Sequence, residues 1–324
     1  MKTDSFNKKL KMGIIKPKRL KQGDVIGIIS PASSPDDLSR INNGVAYLEK
    51  LGYRVEVGKN VGSQDGYLAG SDIQRLEDLH AMFKNKNVKA IFCVRGGYGS
   101  GRLLDKIDYK LIKRNPKIFV GYSDINALQL AFFAKTGLIT FAGPMVAVDF
   151  HDEVSPFTEE VFWRTITSNK KIGKLSNPRN EKFYILNKGK AQGRILGGNL
   201  SLLNSLIGTE YLPKVKDSIL LLEDINEPPY RIDRMLNQLR LSKILKQIKG
   251  VILGHFVDCI EIDPTKKTFT LNEVIVEYFQ NHKMPVLYNF KHGHIKDNIT
   301  IPYGIRCILN ASHSSIEIPE NAVS

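Results

Sequence analysis

At 324 residues the chain is long enough to bury a full core, with two domains as the expectation. Hydrophobic residues make up 42% and charged residues 25%, which excludes a fibrous or intrinsically disordered chain. The net charge of +14 is spread over many short basic segments without interleaved aromatics. That pattern argues against a nucleic-acid groove and for a solvated basic surface that would steer anionic small substrates.

Residues 1–20 form a basic lead-in. Residues 1–22 hold no apolar core and no cleavage-like site, and no segment approaches 18 apolar residues. Neither a secretory signal nor a membrane span is expected, which makes the cytoplasm the expected location. Residues 24–30 read as a fully buried strand ended by Pro31, with Ser34 or Asp36 placed to cap a helix to about Lys50. A strand at 53–57 follows, then a helix at 71–83 by the spacing of Ile73, Leu76 and Leu79. Strands at 89–94, 118–121 and 138–141 alternate with helices starting near Gly101 and after Gly121. Short apolar strands alternating with helices imply a parallel sheet covered on both faces, with sites at the C-terminal strand ends.

Residues 166–190 turn polar and read as a linker between a first domain at 1–165 and a second at 191–324. The second begins with Gly193-Arg194-Ile195-Leu196-Gly197-Gly198-Asn199, leading into a helix at 200–207. A strand at 218–222, an amphipathic helix at 230–241, a strand at 250–254 and late strands at 299–309 and 315–318 complete it. Cys93, Cys259 and Cys307 lie far apart in apolar stretches with no CxxC spacing, as buried thiols of a reducing compartment would.

Four segments carry residues suited to chemistry. In Gly121-Tyr122-Ser123-Asp124 a serine stands at a sharp strand-to-helix turn, where free N–H groups meet developing negative charge. It is either a nucleophile or a helix-capping serine. The full G-x-S-x-G elbow is absent, since Ile125 stands at its last position. Arg95-Gly96-Gly97-Tyr98-Gly99-Ser100-Gly101 lets the backbone approach a ligand closely. It misses the dinucleotide spacing and the P-loop lysine, and so reads as an oxyanion hole, a substrate cradle or a plain connection. Glu223 and Asp224 end an apolar strand, where either could orient a histidine or simply cap a helix and pair with Arg231 and Arg234. His292-Gly293-His294 offers metal ligands, a general base or plain polar loop residues, with His255 a lesser candidate for the base. No HExxH or cysteine pair accompanies these histidines, so neither a metal nor a cofactor is expected.

In combination, Arg95-Gly96-Gly97-Tyr98-Gly99, Gly121-Tyr122-Ser123-Asp124, Gly197-Gly198-Asn199-Leu200, Leu222-Glu223-Asp224, Pro228-Pro229-Tyr230-Arg231 and Gly293-His294 resemble the LD-carboxypeptidases of serine peptidase family S66. The resemblance runs nearly the whole chain. It implies an α/β fold: a Rossmann-like or flavodoxin-like parallel-sheet domain, then a mixed α/β domain with a β-barrel-like sheet. It implies a Ser–Glu–His triad of Ser123, Glu223 rather than Glu227, and His294 rather than His292. It also implies an oxyanion hole from the N–H groups of Gly97 (or Gly96) and Asp124, with Arg95, Tyr98 and Arg231 as candidates for substrate contact. The implied partner is a small peptide, the murein tetrapeptide, cut before its terminal D-Ala by a homodimer that recycles wall fragments. The microcin-immunity branch, which cleaves a peptidyl-nucleotide conjugate, and a non-catalytic wall-peptide binder are the alternatives.

Overall fold

The computed structural model describes residues 13–324; residues 1–12, the first part of the basic lead-in, lie outside the described residues. Five parallel strands build the first sheet: β1 (Val25–Ile29), β2 (Arg54–Val57), β3 (Val88–Cys93), β4 (Ile118–Gly121) and β5 (Thr140–Ala142). The helices α1 (Ser39–Lys50), α2 (Asp72–Lys84), α3 (Tyr109–Arg114), α4 (Asn126–Thr136) and α5 (Pro156–Thr167) alternate with or follow them. The order β2-β1-β3-β4-β5 is that of a flavodoxin-like doubly wound sheet. β1 and β4 are buried at every position, which explains why they read as unbroken apolar runs rather than alternating ones.

The second sheet draws on β6 (Gly173–Leu175), β7 (Tyr184–Asn187), β8 (Lys190–Asn199), β9 (Ile219–Ile225), β10 (Gly250–Val257) and β11 (Val286–Tyr288). α6 (Leu200–Ser205), α7 (Pro229–Leu241), α8 (Ile244–Gln247) and α9 (Leu271–Phe279) connect its strands. β12 (Ile301–Tyr303), β13 (Arg306–Asn310) and β14 (Ser315–Ile318) close the chain. The eight strands run β6-β14-β13-β8-β9-β10-β11-β7, parallel from β8 to β11 and antiparallel toward both ends. No ladder joins β6 to β7 among the described residues, so by its pairing the sheet is open. Residues 166–190, expected as a linker, supply the strands at its two ends.

β12 belongs to the first sheet, antiparallel to β5. The single late strand expected at 299–309 is therefore two strands in different sheets. Gly304 makes the break with φ +89, and a Cβ there would lie 2.1 Å from the Phe133 ring on α4. Only glycine lets the turn lie that close. Buried apolar clusters run through both sheets, one joining Phe83, Phe119 and Phe132 to Leu203 and Leu222, another joining Phe92 and Phe141 to Ile219 and Leu309.

Local chemistry sets several of the helix starts. Ser71 caps α2 in a reciprocal capping box with Gln74. α1 starts later than Ser34 or Asp36 because the Ser34 hydroxyl is spent on Ser63 O at 2.7 Å. The helix expected from Gly101 is only a 3₁₀ turn, Ser100–Leu103, and α3 begins at Tyr109 under the side chain of Asp108, which accepts from Leu111 N at 2.9 Å. The three cysteines are buried free thiols.

Gly44 lies in the interior of α1, where alanine ordinarily stabilises a helix by about 1 kcal/mol. Here a Cβ would fall 2.2 Å from Val146 O. Gly44→Ala is expected to destabilise the protein by about 1–3 kcal/mol instead, read as a lower denaturation midpoint.

Candidate active site

Ser123 opens a 3₁₀ turn, Ser123–Ile125, between β4 and α4. Its φ is +61, a left-handed conformation that costs a serine about 1–3 kcal/mol. Such strain persists only where surrounding contacts enforce it. Below the turn, Gln129 Nε2 donates to Gly121 O and Phe141 O, both at 2.8 Å, and so holds the ends of β4 and β5 together. Beside it, the buried Asp124 carboxylate accepts from Ser100 N at 2.7 Å, while the Ser100 hydroxyl donates to Asp124 O at 2.5 Å. These two bonds stitch the serine turn to the glycine-rich loop after β3. Burial pushes the Asp124 carboxyl above its ordinary range, and the Ser100 bonds oppose that shift.

The glycine-rich loop lies directly on Ser123. A Cβ at Gly96 would sit 2.8 Å from Ser123 Cβ and 3.2 Å from Asp124 N. Gly97 has φ +97, and its Cβ would meet Ser33 Oγ at 2.5 Å. Ser33, which follows β1, braces the loop: its N–H donates to Gly96 O at 3.2 Å, and its hydroxyl accepts from Tyr98 N at 3.1 Å while donating to Tyr67 O at 2.6 Å. The buried Arg75 reaches up from α2 and donates to Pro31 O at 2.7 Å and Gly99 O at 2.8 Å. Among the described residues no acceptor meets the N–H of Gly96 or Gly97. Free N–H groups held beside a strained serine can receive the negative charge of an oxyanion.

The other two groups come from the second sheet. Strand alternation turns neighbouring acids on β9 to opposite faces. Glu223 Oε2 accepts from His294 Nδ1 at 2.8 Å. Asp224 faces away, accepting from Asn199 Nδ2 at 2.9 Å, Ser201 N at 2.9 Å and Ser201 Oγ at 2.7 Å, and burial raises its carboxyl to about 6. Gly293, at φ +129, would place a Cβ 2.9 Å from Glu223 Oε2, so the residue before the histidine must be glycine for this approach. Burial alone would depress the His294 pKa. The hydrogen bond and charge of Glu223, with Asp224 and Asp149 adding to them, carry it above the ordinary histidine value.

With Nδ1 donating to Glu223, His294 Nε2 is left as the acceptor, and it is buried without a partner. The ring lies edge-on to Tyr122, the residue before Ser123, with centroids 5.3 Å apart. His294 thus stands next to the serine turn, although no hydrogen bond joins it to Ser123 in this structure.

The remaining candidates fall outside this contact set. His292 is 1% exposed, its Nδ1 donates to Ile299 O at 2.8 Å, and burial lowers its pKa. Glu227 lies beyond β9 and pairs with the exposed Arg231, whose Nη1 is 3.3 Å away. Arg95 donates to Ser34 O at 3.3 Å, and Tyr98 lies exposed against Tyr67. His255 keeps a buried, unpartnered Nε2. Among the described residues no three His, Cys, Asp or Glu side chains gather to hold a metal ion, and no helix is long and apolar enough to cross a membrane.

Two contributors escaped sequence reading. Ser33 follows β1 at its C-terminal end, the position where site residues of such sheets gather, and that was its only signal. Asp149 accepts from Met145 N at 2.8 Å within a turn after β5; burial pushes its carboxyl to about 6, and its charge acts on His294. Nothing local marks it.

Followed by NMR, the His294 imidazole is expected to titrate above 6.5. In Glu223→Gln the burial remains and the carboxylate charge is lost, so the midpoint should fall relative to the unaltered protein. An unchanged midpoint would show that the Glu223 bond is not what sets it.

Two family models match the chain, the LD-carboxypeptidase N-terminal domain over residues 26–143 and the LD-carboxypeptidase C-terminal domain over residues 192–309. A probable murein peptide carboxypeptidase of Bacillus subtilis is 40% identical over 309 residues, covering 94% of each chain. The solved structure of the microcin C7 self-immunity protein MccF, a protein of Escherichia coli, superposes with TM-score 0.86 at 29% identity, covering 96% of this chain and 100% of that one. A muramoyltetrapeptide carboxypeptidase from Oxalobacter formigenes superposes with TM-score 0.79 at 31% identity, covering 90% and 97%. Both halves of the chain, one carrying the strained serine and the other the Glu–His pair, thus match the two domains of one peptidase family, and the chain belongs to the LD-carboxypeptidases.

Proposed function

We propose that this protein is a serine-type LD-carboxypeptidase that hydrolyses the amide between the L centre of a diamino acid and the terminal D-Ala of peptidoglycan tetrapeptides. The observation that carries the reading is the Glu223–His294 bond beside a serine held at φ +61. In this reading Ser123 Oγ attacks the scissile carbonyl while His294 Nε2 takes its proton. Glu223 keeps the proton of Nδ1 in place and stabilises the imidazolium that forms. The oxyanion rests on the N–H groups of Gly97 and Asp124, each such donor contributing about 3 kcal/mol to the transition state. His294 then protonates the departing D-Ala nitrogen. Water, deprotonated by the same imidazole, hydrolyses the acyl-serine and restores the enzyme.

A small substrate with a free terminal carboxylate suits the basic surface, and Arg95, at the start of the glycine loop that also carries Tyr98, is the candidate to receive that group. Arg231, tied to Glu227 and Tyr230, is the weaker candidate. The same reading puts the enzyme in the cytoplasm as a homodimer acting on recycled wall fragments. The backbone likeness to MccF favours, as second reading, a peptidyl-nucleotide conjugate at the same site.

D-Ala release from a tetrapeptide is the direct test. Ser123→Ala should lower kcat by about 10³-fold or more with peptide affinity nearly kept, and a chelator should leave the unaltered enzyme active. Equal release by both proteins would remove Ser123 as nucleophile, and faster turnover of a peptidyl-adenylate than of the tetrapeptide would favour the second reading.

A further inference from the structure

Ser123 stands on the first sheet, whereas Glu223 and His294 belong to the second sheet and the loops beyond it. A catalytic constellation is productive only within about 0.5 Å of its working geometry. Something must therefore register one sheet end against the other at the site itself.

Asn126 is the first residue of α4, one helical turn after Ser123. It is 1% exposed. Its Nδ2 crosses to the second sheet and donates to Gly197 O at 2.9 Å. Gly197 and Gly198, just before the last residue of β8, have φ +111 and +114, both in the region that favours glycine. A Cβ on Gly198 would lie 2.8 Å from Asn126 Nδ2 and 2.3 Å from Tyr303 Oη. The strand end is thus stripped of side chains where Asn126 and Tyr303 close on it. Asn199, which ends the strand, pairs in register with Glu223. Asn126 therefore ties the serine turn to the strand end that lies beside the catalytic glutamate. Asn126 Oδ1 is buried without a partner, a cost that helix packing alone gives no reason to bear. An apolar residue would fill this position without that cost.

We propose that Asn126 is a positioning residue, which sets the distance between Ser123 and the His294–Glu223 pair through its bond to Gly197 O. This rests on the triad reading given above. Asn126→Asp keeps the volume and loses the donor; Asn126→Ser shortens the side chain below the reach of Gly197 O. Two rates are read on folded protein: kcat for D-Ala release, and the labelling of Ser123 by a small fluorophosphonate that makes no use of the peptide-binding contacts. Both are expected to fall together by about 10- to 100-fold while KM stays nearly constant. A lower melting temperature with both rates unchanged would assign Asn126 to stability alone and overturn the proposal. If Asn126→Asp does not fold, Asn126→Ser is read by the same criteria. In the unaltered enzyme the Asn126 side-chain amide protons should exchange slowly with solvent, and free exchange would also overturn the proposal. Failure of the triad reading looks different, because the unaltered enzyme would then resist labelling and Ser123→Ala would keep its turnover.

Discussion

In the proposed mechanism the Glu223–His294 hydrogen bond is of use only while the sheet that carries it is held in register with the sheet that carries Ser123. Much of the fold serves that constraint. β12 leaves the second half of the chain to pair with β5, so the two sheets are interlocked rather than strung in sequence. The turn at Gly304 lies on Phe133 of the serine helix, and Tyr303 closes on Gly198. The register of β8 with β9 then sets where Glu223 stands relative to that seam.

Close backbone approach is the second theme. Gly96 and Gly97 bring the loop after β3 against Ser123 and Ser33, and Gly293 brings the histidine loop against Glu223. In each case a Cβ would force the backbone apart, and Gly97 and Gly293 also carry a positive φ. What the site gains is polar groups already oriented before a substrate arrives, so that little reorganisation is needed as charge develops. The electrostatics agree with this. His294 is raised by the carboxylate it contacts, whereas the acids around it that make no such contact, Asp149 and Asp224, are raised to about 6 by burial. The imidazole is thus matched to accept a proton, with one carboxylate committed to it.

The elements legible from sequence were those whose signal is local. β1 and β4 are continuous apolar runs, and α2 shows in the spacing of Ile73, Leu76 and Leu79. Ser123 was legible because a strand, a glycine two residues earlier and a helix bracket it. The choice of Glu223 over Asp224 and of His294 over His292 came from the motif, and in the structure Glu223 and His294 are the two that hydrogen-bond each other. Strand alternation sends Asp224 to the Asn199 and Ser201 side, while His292 is tied to Ile299 O. The start of α1 and the missing helix at Gly101 were misread because Ser34 and the glycine loop spend their polar groups on distant partners rather than on local caps.

By itself the sequence determined the alternation of strands and helices, the turn at Ser123 and the set of polar residues available for catalysis, since each depends on neighbours a few positions apart. Only the tertiary structure decided that residues 301–303 join the first sheet, that Ser33 braces the glycine-rich loop, that the charge of Asp149 acts on the histidine and that Asn126 spans the seam. Each of these relations joins residues remote in the chain: the contacts of Thr140 with Tyr303, Ser33 with Gly96 and Asn126 with Gly197, and the charge of Asp149 acting on His294. Their partners are fixed by packing and by the absence of a Cβ at a few glycines, and no pattern of nearby residues encodes that.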